Sequence, residues 1–474
     1  MTQKSAKLSY EDLYPYQLRM IDHIRENAYC ALWVDMGLGK TVSTLTAVKQ
    51  MVEDFDSQNI LVVGPKRVVR KTWPDEIETW SHLNGLTTSK IIGSGAKQRL
   101  AGAKRRADIH LINTENLWWL IRHFVEQNKH GKWRQIAKWP WDTVVLDESS
   151  RFKNQDSNRY RAIRLMRKYI LRMVQLTGTP APKGLKDLWG QAYLLDRGAR
   201  LGHSFSDFQR RWYDPPTRLG VKWTVKRSAE NQIHAAMSDL ALTLKAEDYL
   251  ELPPVVENWV RVSMTPSEQK KYREFQRQLV MDIAGQTVNA ANAGVLWGKL
   301  LQLANGAVYT EHPAWEPFHS QKLEALMDIE ESLEGKPVMI VYQFKSDLAR
   351  ITNEFDKKKI SYRVLNDEQD EQDWNEGKFD RLLFHAASAG HGTNLHKNGC
   401  EEQIWFGLTP NTEYYLQARA RIEGGHRRVG KNVRIHHIVC DDSHDDLCHW
   451  ILEGDIGEQD RLMEATKRVI RESR

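Results

Sequence analysis

The feature that most constrains this chain is a rhythm. Short, β-rich apolar runs recur, each followed by a Gly or Pro turn and then by a charged segment with helical periodicity. Up to about Leu252 the clear runs are Ala31–Val34, Ile60–Val63, Ile109–Ile112, Thr143–Leu146 and Met173–Leu176. That alternation predicts a parallel sheet covered by helices. The breaker Leu252-Pro253-Pro254 is followed by a charged helical stretch from Pro266 and a second set of runs at Val338–Tyr342, Arg381–Phe384, Ile404–Phe406 and Val433–Val439. A single core stops growing at roughly 250–300 residues, so 474 residues are expected to form two α/β domains, residues 1–252 and 253–474. No repeat of solenoid period and no low-complexity tail interrupts the pattern.

The longest apolar stretches, NILVVG from Asn59 and PVMIVY from Pro337, are far shorter than the roughly 20 residues of a membrane span. They read as buried strands, and no membrane partner is expected. The opening MTQKSAKLSY carries no apolar stretch of signal-peptide length, and a cytoplasmic location is the expectation. Cys30, Cys400, Cys440 and Cys448 make no disulfide framework in so long a chain. The net charge of +6, from 68 basic and 62 acidic residues, is compatible with a polyanion only through local patches.

Chemistry concentrates where the runs end. After ALWV comes Asp35-Met36-Gly37-Leu38-Gly39-Lys40-Thr41 and then a helix-compatible stretch. Strand, glycine turn and helix form a phosphate cradle. Glycines let backbone N–H groups turn toward phosphates, the helix N-terminus adds its positive end, Lys40 reaches the terminal phosphates and Thr41 can ligate Mg²⁺. The strict pattern has a further glycine where Val34 stands. About a hundred residues on, the run Thr143–Leu146 ends in Asp147-Glu148. At that end of an α/β sheet, Asp147 suits Mg²⁺ and Glu148 suits the water that attacks a γ-phosphate. A third run ends in Thr177-Gly178-Thr179-Pro180, whose hydroxyls could sense a nucleotide. In the second half, Ser388-Ala389-Gly390-His391-Gly392-Thr393-Asn394-Leu395 is a Gly-rich loop, and Gln417-Ala418-Arg419-Ala420-Arg421 leads to His426-Arg427-Arg428. Guanidinium groups stabilise charge on a transferring phosphoryl group. Arg421 and Arg427 are the candidates, whereas Arg419 and Arg428 read as a solvated basic face.

The order of these segments resembles the superfamily-two helicase-like ATPases, and within them the Swi/Snf-type branch. Tyr14-Pro15-Tyr16-Gln17, DMGLGKT, LVVGPKRVV with Trp73, INTENL, DESS, LTGTPAP, VYQF, SAGHGTNL and QARARI follow in that group's order across nearly the whole chain. The stretch from Leu252-Pro253-Pro254 to Met264-Thr265-Pro266-Ser267-Glu268-Gln269 and Tyr272 is similar to the second-lobe entry of that branch, which favours DNA. DESS with Phe152-Lys153-Asn154, and LTGTPAPKGLKDLWGQAYLLD, look most like compact members from bacteriophages and bacteria.

The resemblance implies two RecA-like lobes, each a mainly parallel sheet flanked by helices, with ATP and Mg²⁺ in the interlobe cleft. It implies that Gln17 contacts the base and that residues 36–41 (Met36, Gly37, Leu38, Gly39, Lys40, Thr41) hold the phosphates. Thr41 and Asp147 would hold the metal, with Glu148, Arg421 and Arg427 catalytic. The implied activity is ATP hydrolysis coupled to translocation along duplex DNA in a bacterial cell or phage-infected host. A strand-separating DNA or RNA helicase, or an ATP-gated nucleic-acid clamp, is the alternative. No obligate protein partner is inferable. The family's last motif places its second arginine closer to the first than Arg427 lies to Arg421, so Arg427 and Arg428 compete for that place. Ser149-Ser150 stands where many relatives carry a histidine, so hydrolysis and movement are expected to couple through other contacts.

A motor on nucleic acid needs phosphate contacts at loop ends in both lobes. Lys66 and Thr114 are the candidates in the first, with Arg67 and Glu115 beside them; Gln343, Thr393 and Asn394 are those in the second, with Lys345 nearby. The runs Lys97–Arg106 and Arg151–Arg172 add basic charge that reads mainly as solvated faces. Among 17 tryptophans, Trp118, Trp119, Trp133, Trp139 and Trp141 lie close to basic residues. Stacking on bases competes there with an ordinary core role. His436, His437, Cys440, His444, Cys448 and His449 hold zinc-type ligands in the spacing of no standard finger, and Val433–Val439 reads instead as a strand closing the second lobe.

Overall fold

A computed structural model of the chain describes residues 7–182, 184–216, 223–250, 254–284, 290–309, 315–333, 335–389, 393, 395, 398–423 and 432–453. The chain divides into two compact units, Met1–Leu250 and Glu251–Arg474.

The N-terminal unit is built on a seven-stranded sheet. Its strands are β1 (Tyr29–Val34), β2 (Ile60–Gly64), β3 (Thr88–Ile91), β4 (Ile109–Asn113), β7 (Thr143–Asp147), β8 (Arg172–Thr177) and β11 (Ala241–Leu244), in the order β11-β1-β8-β7-β2-β4-β3. Every pairing is parallel. Two hairpins lie outside it, β5 (Val125–Gln127) with β6 (Trp133–Gln135) and β9 (Tyr213–Asp214) with β10 (Thr224–Val225).

The runs are mostly apolar because both faces of the sheet are covered, and the polar residues within them are buried with partners, as where Gln175 Nε2 donates to Gln191 O at 2.9 Å. Along β1, Ala31 and Trp33 enter one core while Cys30, Leu32 and Val34 enter the other; β2 and β7 divide in the same way. Helices Pro15–Glu26, Lys40–Glu53 and Trp73–Thr79 close the second core through Met20, Leu45 and Trp73. Helices Asn158–Met166, Lys186–Asp196, Phe205–Trp212 and Ala229–Met237 close the first through Tyr160, Leu188, Phe208 and Ile233.

The C-terminal unit repeats the plan with β12 (Val256–Val262), β15 (Val338–Tyr342), β16 (Arg363–Val364), β17 (Arg381–His385), β18 (Glu402–Trp405) and β19 (Arg434–Cys440), in the order β12-β19-β18-β15-β17-β16. All are parallel, and a hairpin of β13 (Ala307–Tyr309) and β14 (Trp315–Pro317) stands apart. β19 does not close this sheet, as the sequence suggested: β12 pairs along its whole length and takes the edge. Met339 and Val341 of β15 face one core, Val338 and Ile340 the other. No helix among the described residues is long and apolar enough to cross a membrane.

This second unit buries charge. Lys322 Nζ lies 2.5 Å from Asp445 Oδ2 with both side chains fully buried, and it donates to Asn305 Oδ1 at 2.8 Å. Asn305 passes the link to Asp347, which also accepts from the backbone N–H groups of Gln343 and Phe344. A buried pair that loses one partner leaves an uncompensated charge, at roughly 3–5 kcal/mol. Asp445→Ala is therefore expected to lower the thermal transition of this unit by roughly 10 °C, and Lys322→Met with Asp445→Leu to recover most of it. Calorimetry of the full chain checks this; a single variant that melts like the wild type would contradict it.

Candidate active site

Strand order brings three carboxyl ends together. β8 lies between β1 and β7, with Trp33 opposite Thr177 and Leu176 opposite Asp147. The loops that follow these strands share one rim of the sheet, where α/β folds bind ligands.

From β1 the chain turns through Gly37 and Gly39, both at positive φ (85° and 81°), into the helix Lys40–Glu53. Gly39 has no substitute: besides its φ, an added Cβ would lie 2.1 Å from Gln17 Nε2. Gln17 is buried; its Oε1 accepts from Tyr14 N (2.9 Å) and its Nε2 donates to Leu38 O (3.3 Å). The glutamine is thus clamped between the entry to its own helix and the back of the loop. Leu38 anchors the loop in the core, and Asp35 ties its start to the far edge, accepting from Ala246 N at 2.8 Å. Val34, where the strict pattern has glycine, is a fully buried strand residue; the turn is made after it. Lys40 Nζ donates to the carbonyls of Val34 (2.5 Å) and Asp35 (3.1 Å), folding the ammonium over the loop. Thr41 follows in the first turn of the helix.

Asp147 ends β7. Its Oδ2 accepts from the Trp73 indole N–H at 2.8 Å and its Oδ1 from Glu148 N at 3.1 Å. Burial pushes this carboxyl above the usual range; the Trp73 hydrogen bond, the Lys40 charge and the Glu148 N–H pull it back. Lys40 and Asp147 therefore act on each other. Glu148 is held at φ 57°, in the left-handed region, a strained conformation for a non-glycine residue that turns the chain off the strand end.

The loop after β8 is coupled to this carboxylate pair by a residue that the sequence reading did not single out. Gln191, buried on the helix Lys186–Asp196, accepts from Ser149 Oγ (2.8 Å) and donates to Pro180 O (2.7 Å). Ser149, which follows the carboxylate pair directly, thus has a partner, and that partner links the segment after Asp147-Glu148 to Thr177-Gly178-Thr179-Pro180. Gly190 allows the approach, since a Cβ there would meet Lys153 O at 2.5 Å. The donor set is a hydroxyl, a carboxylate, an ammonium and a helix N-terminus around a glycine cradle. It fits a phosphate chain with a hard, oxygen-seeking cation.

The remaining candidates separate. Lys66 is exposed just beyond β2, while Thr114, beyond β4, is buried. In the C-terminal unit, Arg421 Nη1 donates to Thr393 O at 2.8 Å, which joins two candidates. Gln343 N–H is held by Asp347 and its carbonyl contacts His385 Nε2 at 2.8 Å. Arg419 is not a solvated face: it pairs with Glu257 (2.7 Å) and Glu423 (2.5 Å). Asn394, Arg427, Arg428 and the glycines of the 390–392 loop lie outside the described residues. Trp139 and Trp141 are core residues, in edge-on contact with each other and with Phe124. In the tail, His437 stacks on Trp259 within the sheet core; among the described residues no group of three or more His, Cys, Asp or Glu side chains could hold a metal ion.

A family model described as the SNF2-related domain matches residues 18–308. The chain is 34% identical over 474 residues to protein p41 of Acyrthosiphon pisum secondary endosymbiont phage 1, covering 96% of this chain and 98% of that protein. It is 23% identical over 299 residues to chromatin remodeling factor mit1 of Schizosaccharomyces pombe, covering 60% of this chain and 19% of mit1. With helicase SWR1 of Mycosarcoma maydis it shares 27% identity over 286 residues, covering 55% of this chain and 15% of SWR1. The chain thus spans less than a fifth of the length of these last two proteins. The SWI2/SNF2 ATPase core of Sulfolobus solfataricus in complex with dsDNA aligns over 98% of this chain and 94% of that one, at 20% identity and a TM-score of 0.43.

The Trp73–Asp147 contact has a pH signature. A carboxyl raised above its ordinary value of 3.8 costs stability as pH rises through its folded pKa, because the charged form is the disfavoured one. Trp73→Phe keeps a ring and removes the N–H that offsets this cost, so its penalty should grow with pH, reaching about 1.5–3 kcal/mol when the group is ionised. Thermal melts in steps from pH 4 upward across the stable range are expected to show a loss that grows with pH; a loss that stays constant throughout would mean that ring packing alone matters.

Proposed function

We propose, from the premise that this chain belongs to the SNF2-related domain family, that it is a DNA-dependent ATPase that couples hydrolysis to translocation along duplex DNA. The observation that carries the reading is the shared rim: a glycine phosphate loop with Lys40 and the Asp147-Glu148 pair on strand ends one strand apart.

In this reading Gln17, already holding the loop, presents its remaining capacity to the adenine. The backbone N–H groups of residues 37–41 and the N-terminus of the following helix face the phosphates, and Lys40 exchanges its carbonyl partners for the β- and γ-phosphates. Mg²⁺, held by Thr41 and Asp147, would supply charge neutralisation on the phosphate oxygens. Glu148 orients a water and takes its proton as the water oxygen bonds to the γ-phosphorus and the bond to the β–γ bridging oxygen breaks, leaving ADP and phosphate. Gln191 carries the state of the Asp-Glu loop to the Thr177–Pro180 loop. Arg421 and Arg427 are assigned to the γ-phosphate charge, and Lys66, Thr114, Gln343, Thr393 and Asn394 to the DNA backbone.

Hydrolysis is expected to rise at least about tenfold with duplex DNA and far less with single strands or RNA, and Lys40→Ala to remove it. Stimulation by RNA alone would replace the DNA reading; no hydrolysis with any polymer would leave the clamp. Displacement of a triplex strand without unwinding of a fork would mark a translocase. Arg421→Ala should lower duplex-stimulated hydrolysis by at least roughly 10³-fold, the scale of an arginine finger, with ATP affinity changed only a few-fold by equilibrium binding; parallel loss of both would make Arg421 a structural residue.

A further inference from the structure

A groove on the N-terminal unit lies outside the ATP site and is chemically distinct from it. One wall is the β5–β6 hairpin, whose turn is fixed by Asn128 Oδ1 accepting from His130 N and Lys132 N. Its base is tied by Ile136 N donating to Phe124 O, beside the buried Trp139 and Trp141. On this anchored hairpin Trp133 stays 37% exposed, edge-on to Trp118 at 5.6 Å. The other wall is the helix Asn158–Met166 and the turn after it. There Tyr160, Ile163 and Met166 enter the core while Arg161, Arg164 and Lys168, at spacings of three and four, are exposed.

Two cavities make up the groove. One, of about 590 Å³, is lined by Trp118, Trp133, Arg134, Arg161, Arg164 and Lys168 among others, and no carboxylate lines it. The other, of about 600 Å³, runs from Thr114 and Glu115 past Trp118 and Trp119 to Arg159. They share Trp118 and Asn158 in their walls, so the two lie side by side between Thr114 and Trp133. Each cation has a replaceable partner at present: Arg134 a Glu126 carboxylate and Arg161 an Asp156 carboxylate, both exposed pairs, and Arg164 and Lys168 the rings of Tyr193 and Tyr169. Exposed pairs of this kind contribute little and yield to a polyanion.

A row of cations facing an exposed indole suits a polymer with regularly spaced phosphates and open base faces, since every base offers a π-face to an aromatic platform. A duplex keeps its base faces stacked, so the polymer must be unpaired. We propose that this groove is a second nucleic-acid site that takes single-stranded DNA, with a base stacked on Trp133 and phosphates on Arg161, Arg164 and Lys168. The choice of DNA over RNA rests on the proposed duplex track at Thr114, where the groove begins; the stacking and charge argument stands without it.

The test uses the full chain, a labelled dT20 probe read by anisotropy, a 20-nucleotide U-only RNA, and duplex-stimulated ATP hydrolysis. Trp133→Ala is expected to weaken dT20 binding roughly tenfold or more, with Trp133→Phe retaining most of it. The triple variant Arg161→Glu, Arg164→Glu, Lys168→Glu should weaken it further and flatten the salt dependence by about two in log–log slope, from roughly 0.7 per phosphate lost. All variants should melt within a few degrees of wild type and keep duplex-stimulated hydrolysis within about twofold. Unchanged dT20 affinity in the variants, absence of dT20 binding by wild type, preference for the RNA, or loss of duplex-stimulated hydrolysis along with dT20 binding would each overturn the inference. Failure here with hydrolysis intact leaves the motor reading standing; dT20 binding through Trp133 without any hydrolysis would fail that reading and keep this one.

Discussion

The pairing of β8 with β1 on one side and β7 on the other is the constraint on which the rest of the N-terminal unit depends. A parallel sheet buried on both faces admits few polar side chains along its length, because each needs a partner inside an apolar core, as Gln175 has in Gln191 O. Reactive groups are left with the strand ends. With β8 in the middle, the glycine loop after β1 and the Asp147-Glu148 pair after β7 are held apart by one strand and joined by the loop between them. Lys40 and Asp147 then feel each other's charge although more than a hundred residues separate them.

Around that frame, small groups do the positioning. Gly39 leaves the space that Gln17 fills, and Gln17 in turn holds the Leu38 carbonyl, so the loop is shaped from behind by a helix that precedes it in the chain. Trp73 reaches across from the segment after β2 to hold Asp147. Gln191 gives Ser149 and Pro180 a common partner, which offers a route by which a change at the carboxylates reaches the neighbouring loop. The C-terminal unit uses the same economy: the buried Lys322–Asp445 pair leads through Asn305 to Asp347, which fixes the backbone at Gln343.

The strands at the sheet centres were legible because burial on both faces writes itself as largely apolar runs; each run named from the sequence lies within an observed strand or extends past its end by one residue. Edge strands were not. β11 reads ALTL and β12 reads VENWVRV, short or alternating stretches whose pairing with β1 and β19 is decided by tertiary neighbours. The glycine turn before Lys40 and the Asp-Glu pair were visible as spacings, but Gln191, though inside the quoted LTGTPAPKGLKDLWGQAYLLD stretch, carries no signal of its own that sets it apart from its helical neighbours. Arg419 looked like surface because its partner Glu257 lies on a strand far away in sequence. Five neighbouring tryptophans looked equivalent, and only packing separates buried Trp139 and Trp141 from exposed Trp133.

The central claim is that Glu148, strained at the end of β7, serves the attacking water and not the nucleotide's affinity. Glu148→Gln keeps the size and shape of the side chain and removes its basicity, so single-turnover hydrolysis and equilibrium ATP binding, measured together with duplex DNA present, separate the two roles. The expected result is ATP affinity within a few-fold of wild type with hydrolysis slower by at least roughly 100-fold. Hydrolysis at the wild-type rate, or a fall explained wholly by lost ATP binding, would contradict the account.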